Sequence, residues 1–511
     1  MKKIIWSGLW KKEDWLTVWV GLIIIIIILG GVSLKVPKLK WTLPGEYITF
    51  VSRTIPSVEK LMAKAGDAGD TLVKDAAVNL QMAMICRDRT LISDASKTLA
   101  EAAALSKDKS VSKAASKLSA SILAESSNRV LKIFTTDNLL RVLVLGLFYL
   151  ILSLIAIVLA GEKAAGFITG FPVIFLLALL GQLIAGNYTM LYYGLEYVIW
   201  ALALGLFISN VFGVPAWLRG AIKSEFYIKT GVILLGAGIY FHEIVNAGLY
   251  GLAQAVLVVS VVWYTCFWIA RKLKVDDEFA AILSSAVSIC GVSAAIATAG
   301  AIKGDPKKLS YTTSIVLICA VPMLIIQPLI AKLLSMPDIV AGAWLGGTLD
   351  TSGSVVAAGA LISESAMKTG VVVKMSQNVL IGVAAFILSI VWAMRSNDPI
   401  PGTKRKVTIL EIWYRFPKFV LGFIIASVVF SFFLTPEVVE GTKSTLSGLR
   451  TWWFALAFVS IGLETRFKDL TKLGNGRPAL AFLAAQGINI LWTLLLAYLI
   501  FGGILFPVPN L

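Results

Sequence analysis

Two short stretches hold most of the polar chemistry that this chain places in apolar surroundings. "AILSSAVSICGVSAAIATAGAI" (Ala281–Ile302) gathers Ser284, Ser285, Ser288, Cys290, Gly291 and Ser293 near its middle. "WLGGTLDTSGSVVAAGALI" (Trp344–Ile362) gathers Thr348, Asp350, Thr351, Ser352, Gly353 and Ser354. Non-helical backbone at membrane depth is tolerated only where protein or a water-filled cavity surrounds it, because hydrocarbon offers no hydrogen bonds. A helix that starts there aims its free N–H groups and the positive end of its dipole at one point, which suits an anion. Glycine lets a ligand approach the backbone, and Ser and Thr hydroxyls donate without a permanent charge. The plain alternative is close helix packing, for which Gly, Ala and Ser are the usual residues. Two such stretches, one with a carboxylate, favour a binding site.

An aspartate in a membrane span costs on the order of 3 kcal/mol and faces a cavity or a partner. For Asp350 the candidate partner is Lys374 in "VVVKMSQNVLIG" (Val371–Gly382), with Gln377 and Asn378 as neutral ligands nearby. Two roles compete for Asp350: proton carrier, or acceptor that holds the interrupted backbone in shape. Glu196, His242 and Glu243 fall near predicted span ends and read as interfacial. No nucleophile with a base, no P-loop and no dinucleotide fingerprint is present, so the expectation is a non-enzymatic protein without a cofactor, apart from coupling to H⁺ or Na⁺. One histidine and scattered cysteines predict no metal site. Cys266, Cys290 and Cys319 lie in apolar runs and Cys86 stands alone, so no disulfide framework is expected either.

These residues sit in a chain of 511 that is 58% hydrophobic, with a mean hydropathy of +0.83. Many of its apolar runs approach the ~20 residues that a membrane helix needs. The fold class is therefore an all-α polytopic membrane protein embedded in a lipid bilayer. The organisation expected is an N-terminal membrane helix over 1–33, a soluble helical insert over 34–138, and a core of about 12 membrane segments over 139–511. The formal net charge of +16 comes from Lys and Arg scattered through short loops and the insert, which fits topology control and argues against nucleic acid. Lys2 and Lys3 precede the first apolar run, which lacks a small-residue cleavage site, so it reads as a retained helix.

The insert is rich in Ala, Ser and Lys, which favours helix. Leu61, Leu72 and Val78 suggest its apolar face, and Pro37, Pro44, Gly45 and Pro56 suggest an irregular linker before a small hairpin or bundle. Among the spans, 228–245 and 248–270 are read as neighbours, and others are expected over 371–394 and 451–465.

Basic loops "RKLKVDDE" (Arg271–Glu278), "PGTKRKVT" (Pro401–Thr408) and "RFKDLTK" (Arg466–Lys472) set the N-terminus inside and the insert outside. The loop "KGDPKK" (Lys303–Lys308) then falls outside unless 279–301 and 339–361 each re-enter the face they came from. "VILLGAGIYFHEIVNAG" (Val232–Gly248) and "LAFVSIGLETRFKDLTKLG" (Leu456–Gly474) share an apolar helix, a Gly, an acid and a Gly-closed loop, and run in opposite directions in this topology. That pattern is what an inverted repeat, with its broken or re-entrant helices, demands.

Four motifs carry a family resemblance: "GVILLGAGI" (Gly231–Ile239), "SICGVSAAIATAGAIK" (Ser288–Lys303), "DTSGSVVAAGAL" (Asp350–Leu361) followed by Lys374, and "FALAFVSIGLETRFKDL" (Phe454–Leu470). Through them the chain, from about Phe171 to Phe501, resembles the YeiH-like family of bacterial inner-membrane sulfate exporters. The resemblance implies a secondary transporter related to the cation/proton antiporter and bile-acid symporter superfamily, with discontinuous helices, sulfur oxyanion substrates and a homodimeric state. It carries over Ser288, Cys290, Gly291, Ser293, Asp350, Thr351, Ser352 and Lys374 as site residues. The chain departs from the family pattern at Leu349, where a His is usual, at Gly353–Ser354, where a Gln follows "DTS", and at Gln377, where a basic residue is usual. The loss of two potentially positive groups, at Leu349 and Gln377, weakens the case for a divalent anion. The reading is a proton- or ion-coupled transporter of small inorganic anions, sulfate and sulfite first. Its rivals are a cation/proton antiporter and a receptor or scaffold acting through the insert.

Overall fold

The computed structural model describes residues 10–32, 34–193, 195–395, 417–466 and 476–509. Two compact units divide the chain, one built from 1–35, 146–181 and 198–511, the other from 36–145 and 182–197. The second therefore draws in 182–197, which the sequence reading left in the membrane core.

In the first unit come α1 (Glu13–Leu29) and, in the second, the bundle helices α2 (Pro44–Asp67), α3 (Thr71–Cys86), α4 (Arg89–Leu105) and α5 (Lys109–Ser127). Each packs on the next and α5 closes on α2, around a core that includes Val58, Leu61, Leu80, Ile92, Leu99 and Ile122. Asp70, Asp88 and Asp108 cap α3, α4 and α5 by accepting backbone N–H groups of the first turn. Those bonds hold the Asp88 and Asp108 carboxyls below the usual range. The expected linker is helical from Pro44, because proline fits the first helical position, where its missing N–H is not needed. Pro56 lies inside α2. Leu61 is buried as expected, whereas Leu72 is exposed and α3 buries Val73, Ala76, Ala77, Leu80 and Met84. The composition is right for helix, and only the face expected for α3 is out of phase.

The chain then continues through α6 (Thr136–Leu159), α7 (Ala164–Ala185), α8 (Tyr197–Phe207, prolonged by a π turn to Phe212), α9 (Ser224–Gly236), α10 (Phe241–Lys272), α11 (Asp277–Ser285), α12 (Gly291–Ile302) and α13 (Pro306–Leu333). It ends with α14 (Asp338–Thr348), α15 (Ser352–Ala360), α16 (Glu364–Arg395), α17 (Phe419–Val428), α18 (Pro436–Glu464) and α19 (Arg477–Phe501). Among the described residues eight helices are long and apolar enough to cross a membrane, and shorter apolar helices cover Tyr197–Phe212 and Phe419–Phe433. This is an all-α polytopic membrane protein.

Polar residues extend several helices past their apolar runs. The break expected near residue 247 falls at 237–240, after Gly236, and α16 and α18 begin at Glu364 and Pro436, ahead of residues 371 and 451.

Two segments double back. The backbone leaves helical geometry at Cys290 (φ −150, ψ 75), between the π turn Ala286–Cys290 and α12. The ends of the segment then meet: the Asp305 N–H donates to Glu278 Oε1 at 2.6 Å, and Lys308 Nζ pairs with Asp276 at 2.6 Å and Glu278 at 3.2 Å. Length and composition alone count Asp277–Ile302 as one crossing, but those contacts place both its ends together. "KGDPKK" therefore lies beside "RKLKVDDE". The loop 401–408 and residues 467–472 fall outside the described residues.

The second segment repeats the device. Leu349 (ψ 135) and Thr351 (φ −126, ψ 147) are extended between α14 and α15. Gly346 faces Gly370 on α16, with room for no Cβ, which would lie 2.5 Å from the Gly370 carbonyl oxygen, and Gly342 faces Ala366. Returning along α15, Val355 touches Gly370 and Gly359 meets the Met367 backbone. α14 thus runs parallel to α16 and α15 antiparallel to it, a hairpin laid along one helix.

α9 and α18 also run in opposite directions: Ser224 donates to Glu464 at 2.6 Å, and Gly231 faces the Phe454 ring. α9 carries only 232–236 of the first stretch compared above as a repeat, whose residues from Phe241 open α10, and α18 carries 456–464 of the second; residues 467–474 fall outside the described residues.

Candidate functional site

The two hairpin tips touch. A Cβ on Gly291 would collide with Val316 and lie 3.0 Å from the Asp350 carbonyl oxygen, so only glycine allows this approach. α16 runs past the contact and supplies Lys374, Gln377 and Asn378, all buried. Lys374 Nζ donates to the Ile289 carbonyl at 2.6 Å and to Gln377 Oε1 at 2.9 Å. Gln377 Nε2 donates to the Ser288 carbonyl at 2.8 Å and to the Gly347 carbonyl at 3.3 Å. One lysine–glutamine pair therefore binds the backbone of both hairpins.

Asp350 is 2% exposed, and its Oδ2 has no hydrogen-bond partner. The direct ion pair expected with Lys374 is absent from the ion pairs within 4.0 Å among the described residues, and the ammonium is held by the Ile289 carbonyl instead. The carboxylate and the ammonium therefore share the site without closing on each other.

α15 begins beside Asp350. Thr351 Oγ1 accepts from the Ser354 N–H at 3.1 Å and exchanges a hydrogen bond with Ser354 Oγ at 2.7 Å, capping the helix. Ser352 Oγ lies 3.4 Å from Asn378 Nδ2, whose Oδ1 is unpartnered. Gly353 packs against Ile228 and Ile461, where a Cβ would lie 3.1 Å from the Ile461 side chain. On the other hairpin, α12 begins at Gly291 with no side-chain cap on its first turn. Ser288 Oγ is spent on the Ser284 carbonyl at 2.6 Å, and the Cys290 thiol is buried. Ser293 departs from the cluster: it lies on the exposed face of α12 with Ile296 and Gly300. His242 is also exposed, stacked on Tyr240 at the start of α10.

Sequence reasoning missed the amides that hold the tips from the far side. Gln486 Nε2 on α19 donates to the Thr348 carbonyl at 3.0 Å. Asn489 Nδ2 reaches the Val287 carbonyl at 3.2 Å and the Thr348 carbonyl at 3.4 Å, one in each hairpin. Gln254 on α10 donates to the Ala343 carbonyl at 2.9 Å. A signal existed in "AAQGIN" (Ala484–Asn489), two amides three residues apart on one helical face of an apolar span. Among the described residues no His, Cys, Asp and Glu come together in a group that would hold a metal.

Fold and site together define a multi-pass membrane protein in which two helical hairpins meet inside the bundle around a buried lysine and aspartate. Residues 169–481 match the family described as "Conserved hypothetical protein 698". A UPF0324 membrane protein of Rhodopirellula baltica is 43% identical over 373 residues, 70% of this chain and 68% of its own. One from Nitratidesulfovibrio vulgaris is 36% identical over 388 residues, 73% of this chain and 65% of its own. The inner membrane protein YeiH of Salmonella typhimurium is 28% identical over 312 residues, 59% of this chain and 82% of its own. The chain belongs to this UPF0324 family, and it spans about two thirds of the length of the first two relatives. No solved structure matches it.

Proposed function

We propose that the chain is a secondary transporter of a small anion, working by alternating access around the place where the two hairpin tips meet. The observation that carries this reading is the convergence of two helix starts, at Gly291 and Ser352, on one buried locus that also holds Lys374. Helix N-termini and an ammonium favour negative charge. Sulfite and sulfate are the first substrates to test, on the strength of the family resemblance. Asp350 is the coupling group: protonated, it removes the charge that would repel the anion, so proton and anion occupy the site together.

Two unpartnered oxygens, Asp350 Oδ2 and Asn378 Oδ1, favour a second reading, exchange of a cation such as Na⁺ for protons. In either case the protein acts without a cofactor and without covalent chemistry. It resides in the bacterial inner membrane with its N-terminus cytoplasmic and its insert external, and assembles as a homodimer.

The test is flux of radiolabelled sulfite and sulfate into proteoliposomes, with and without an imposed pH gradient, for the wild type and Asp350→Asn. The expected result is saturable, gradient-driven flux that the variant loses. Wild-type flux in the variant removes Asp350 from the mechanism. Flux of neither anion, together with exchange driven by a sodium gradient, replaces the anion reading by the cation one.

A further inference from the structure

The outer faces of α10 and α16 leave a groove between them, with a volume of about 370 Å³. Trp263, Tyr264 and Phe267 line it from α10, and Ile387, Leu388 and Trp392 from α16. The two helices run in the same direction, since Gly251 packs on Val373 and Ser376 and the groove follows further along both, over 259–267 and 384–392. That stretch of helix rises about 12 Å, close to the ~15 Å depth of one leaflet's hydrocarbon. Volume over length leaves a cross-section of roughly 30 Å², which admits an acyl chain and not a helix about 10 Å across. Within Ala247–Lys272 only 28% of the apolar window is buried in the protein, the smallest share among the candidate spans of the described residues, so the groove opens outward from the bundle.

The two ends of the groove differ. At the deep end Val259 and Ala384 pack against Ile289, Cys290 and Ala294, at the tip of the first hairpin. Between the ends the wall is fixed from behind: the Trp263 indole N–H donates to Ser285 Oγ at 3.1 Å, and its ring stacks on Phe267 with centres 5.1 Å apart. The other end is basic. α10 finishes on Arg271 and Lys272, both exposed, one turn beyond Phe267 and Trp268. Lys272 Nζ lies 3.8 Å from the centre of the half-exposed Trp268 ring, an ammonium held at the level where aromatic side chains mark the membrane interface. Arg271 Nε pairs with Asp277 at 3.0 Å, the neighbouring Asp276 and Glu278 pair with Lys308, and the exposed Lys274 adds a further positive charge.

We infer that the groove binds one anionic phospholipid, with an acyl chain lying between α10 and α16 and the phosphate meeting Lys272 and Arg271. An apolar slot one leaflet deep that ends on exposed cations complements such a lipid at both its ends. A zwitterionic lipid fills the same slot but brings an ammonium of its own to those cations. The acyl chain backs onto Val259 and Ala384, and through them onto the hairpin tip. The site is distinct from the place where the two tips meet, and lipid binding does not depend on what the protein transports.

The test presents the full chain, purified in detergent, with phosphatidylglycerol or phosphatidylcholine of identical acyl chains, and counts the retained lipid by native mass spectrometry. The wild type is expected to retain one phosphatidylglycerol per chain, in preference to phosphatidylcholine by roughly fivefold or more. Lys272→Gln should cut that retention about fivefold, the worth of one basic residue at a lipid surface, and Lys272→Arg should keep it. Ile387→Trp, at a half-exposed position, fills the groove and should abolish retention of both lipids. Equal retention of the two lipids by the wild type overturns the proposal. So does a preference that ignores Lys272→Gln, or retention that survives Ile387→Trp. A dimer that Ile387→Trp dissociates without loss of lipid also overturns it and gives the groove to a second copy of the chain.

Discussion

Asn489 ties together two carbonyls that lie far apart in the chain, Val287 in one hairpin and Thr348 in the other. Removing a buried partner leaves a polar group to bear its desolvation alone, about 1–3 kcal/mol. Asn489→Ala is expected to lower the melting temperature of the detergent-purified protein and to reduce flux. Gln486→Ala should do less, because Asn489 still reaches the Thr348 carbonyl that Gln486 serves. Equal losses in both variants would mean that bridging the hairpins adds nothing. At this scale the sequence was readable wherever a residue looked wrong for its surroundings. Asp350 and Lys374 stood out as charges in apolar runs, and Gln377 and Asn378 by their nearness to them. Gln486 and Asn489 were as visible but lay in a span without a glycine cluster, and their partners come from packing across more than a hundred residues. The outward turn of Ser293 was hidden for another reason: the break at Cys290 resets the phase of the helix that follows it.

The second hairpin lies on α16 because glycines let their backbones touch. A Cβ on Gly346 would lie 2.5 Å from the Gly370 carbonyl oxygen and 2.9 Å from Val373, which neither backbone can yield without moving. Gly346→Val is expected to destabilise the fold by roughly 1–3 kcal/mol or more through overpacking. Gly487 on α19 meets nothing within 4 Å. Gly487→Ala should therefore stabilise by about 0.5–1 kcal/mol, the helical advantage of alanine. Thermal melting of both variants checks the pair; similar shifts would show that backbone contact does not hold the hairpin in place. Element boundaries were less legible than element types. Charged turns such as Glu364–Lys368 extend helices that hydropathy ends early, because a helix persists past the lipid as long as its backbone bonds do. The doubled-back course of the first hairpin did leave a trace, in a basic loop that a simple count put on the wrong face.

For the whole molecule, Cys86 offers a direct handle on orientation. It is exposed at the end of α3 in the helical bundle, whereas Cys266 and Cys290 are buried and Cys319 is partly so. A membrane-impermeant maleimide applied to intact spheroplasts is expected to label the wild type and not Cys86→Ser. Labelling that appears only after lysis would place the bundle in the cytoplasm and invert the topology. The general architecture was legible from composition alone, because apolar runs of that length admit few structures. The assignment of 182–197 to the bundle unit was not, since it depends on contacts such as that of Trp41 Nε1 with the Leu183 carbonyl at 2.7 Å.

The clasp between Lys308 and the Asp276–Glu278 pair bears on parity. A segment that returns to its own face adds nothing to the count of crossings, so the orientation of every later helix is the same with the segment present or absent. Insertion of the rest of the chain into the bilayer therefore does not depend on the polar tips being buried at once. The doubled-back segment is free to settle last, after the crossings around it have fixed the frame.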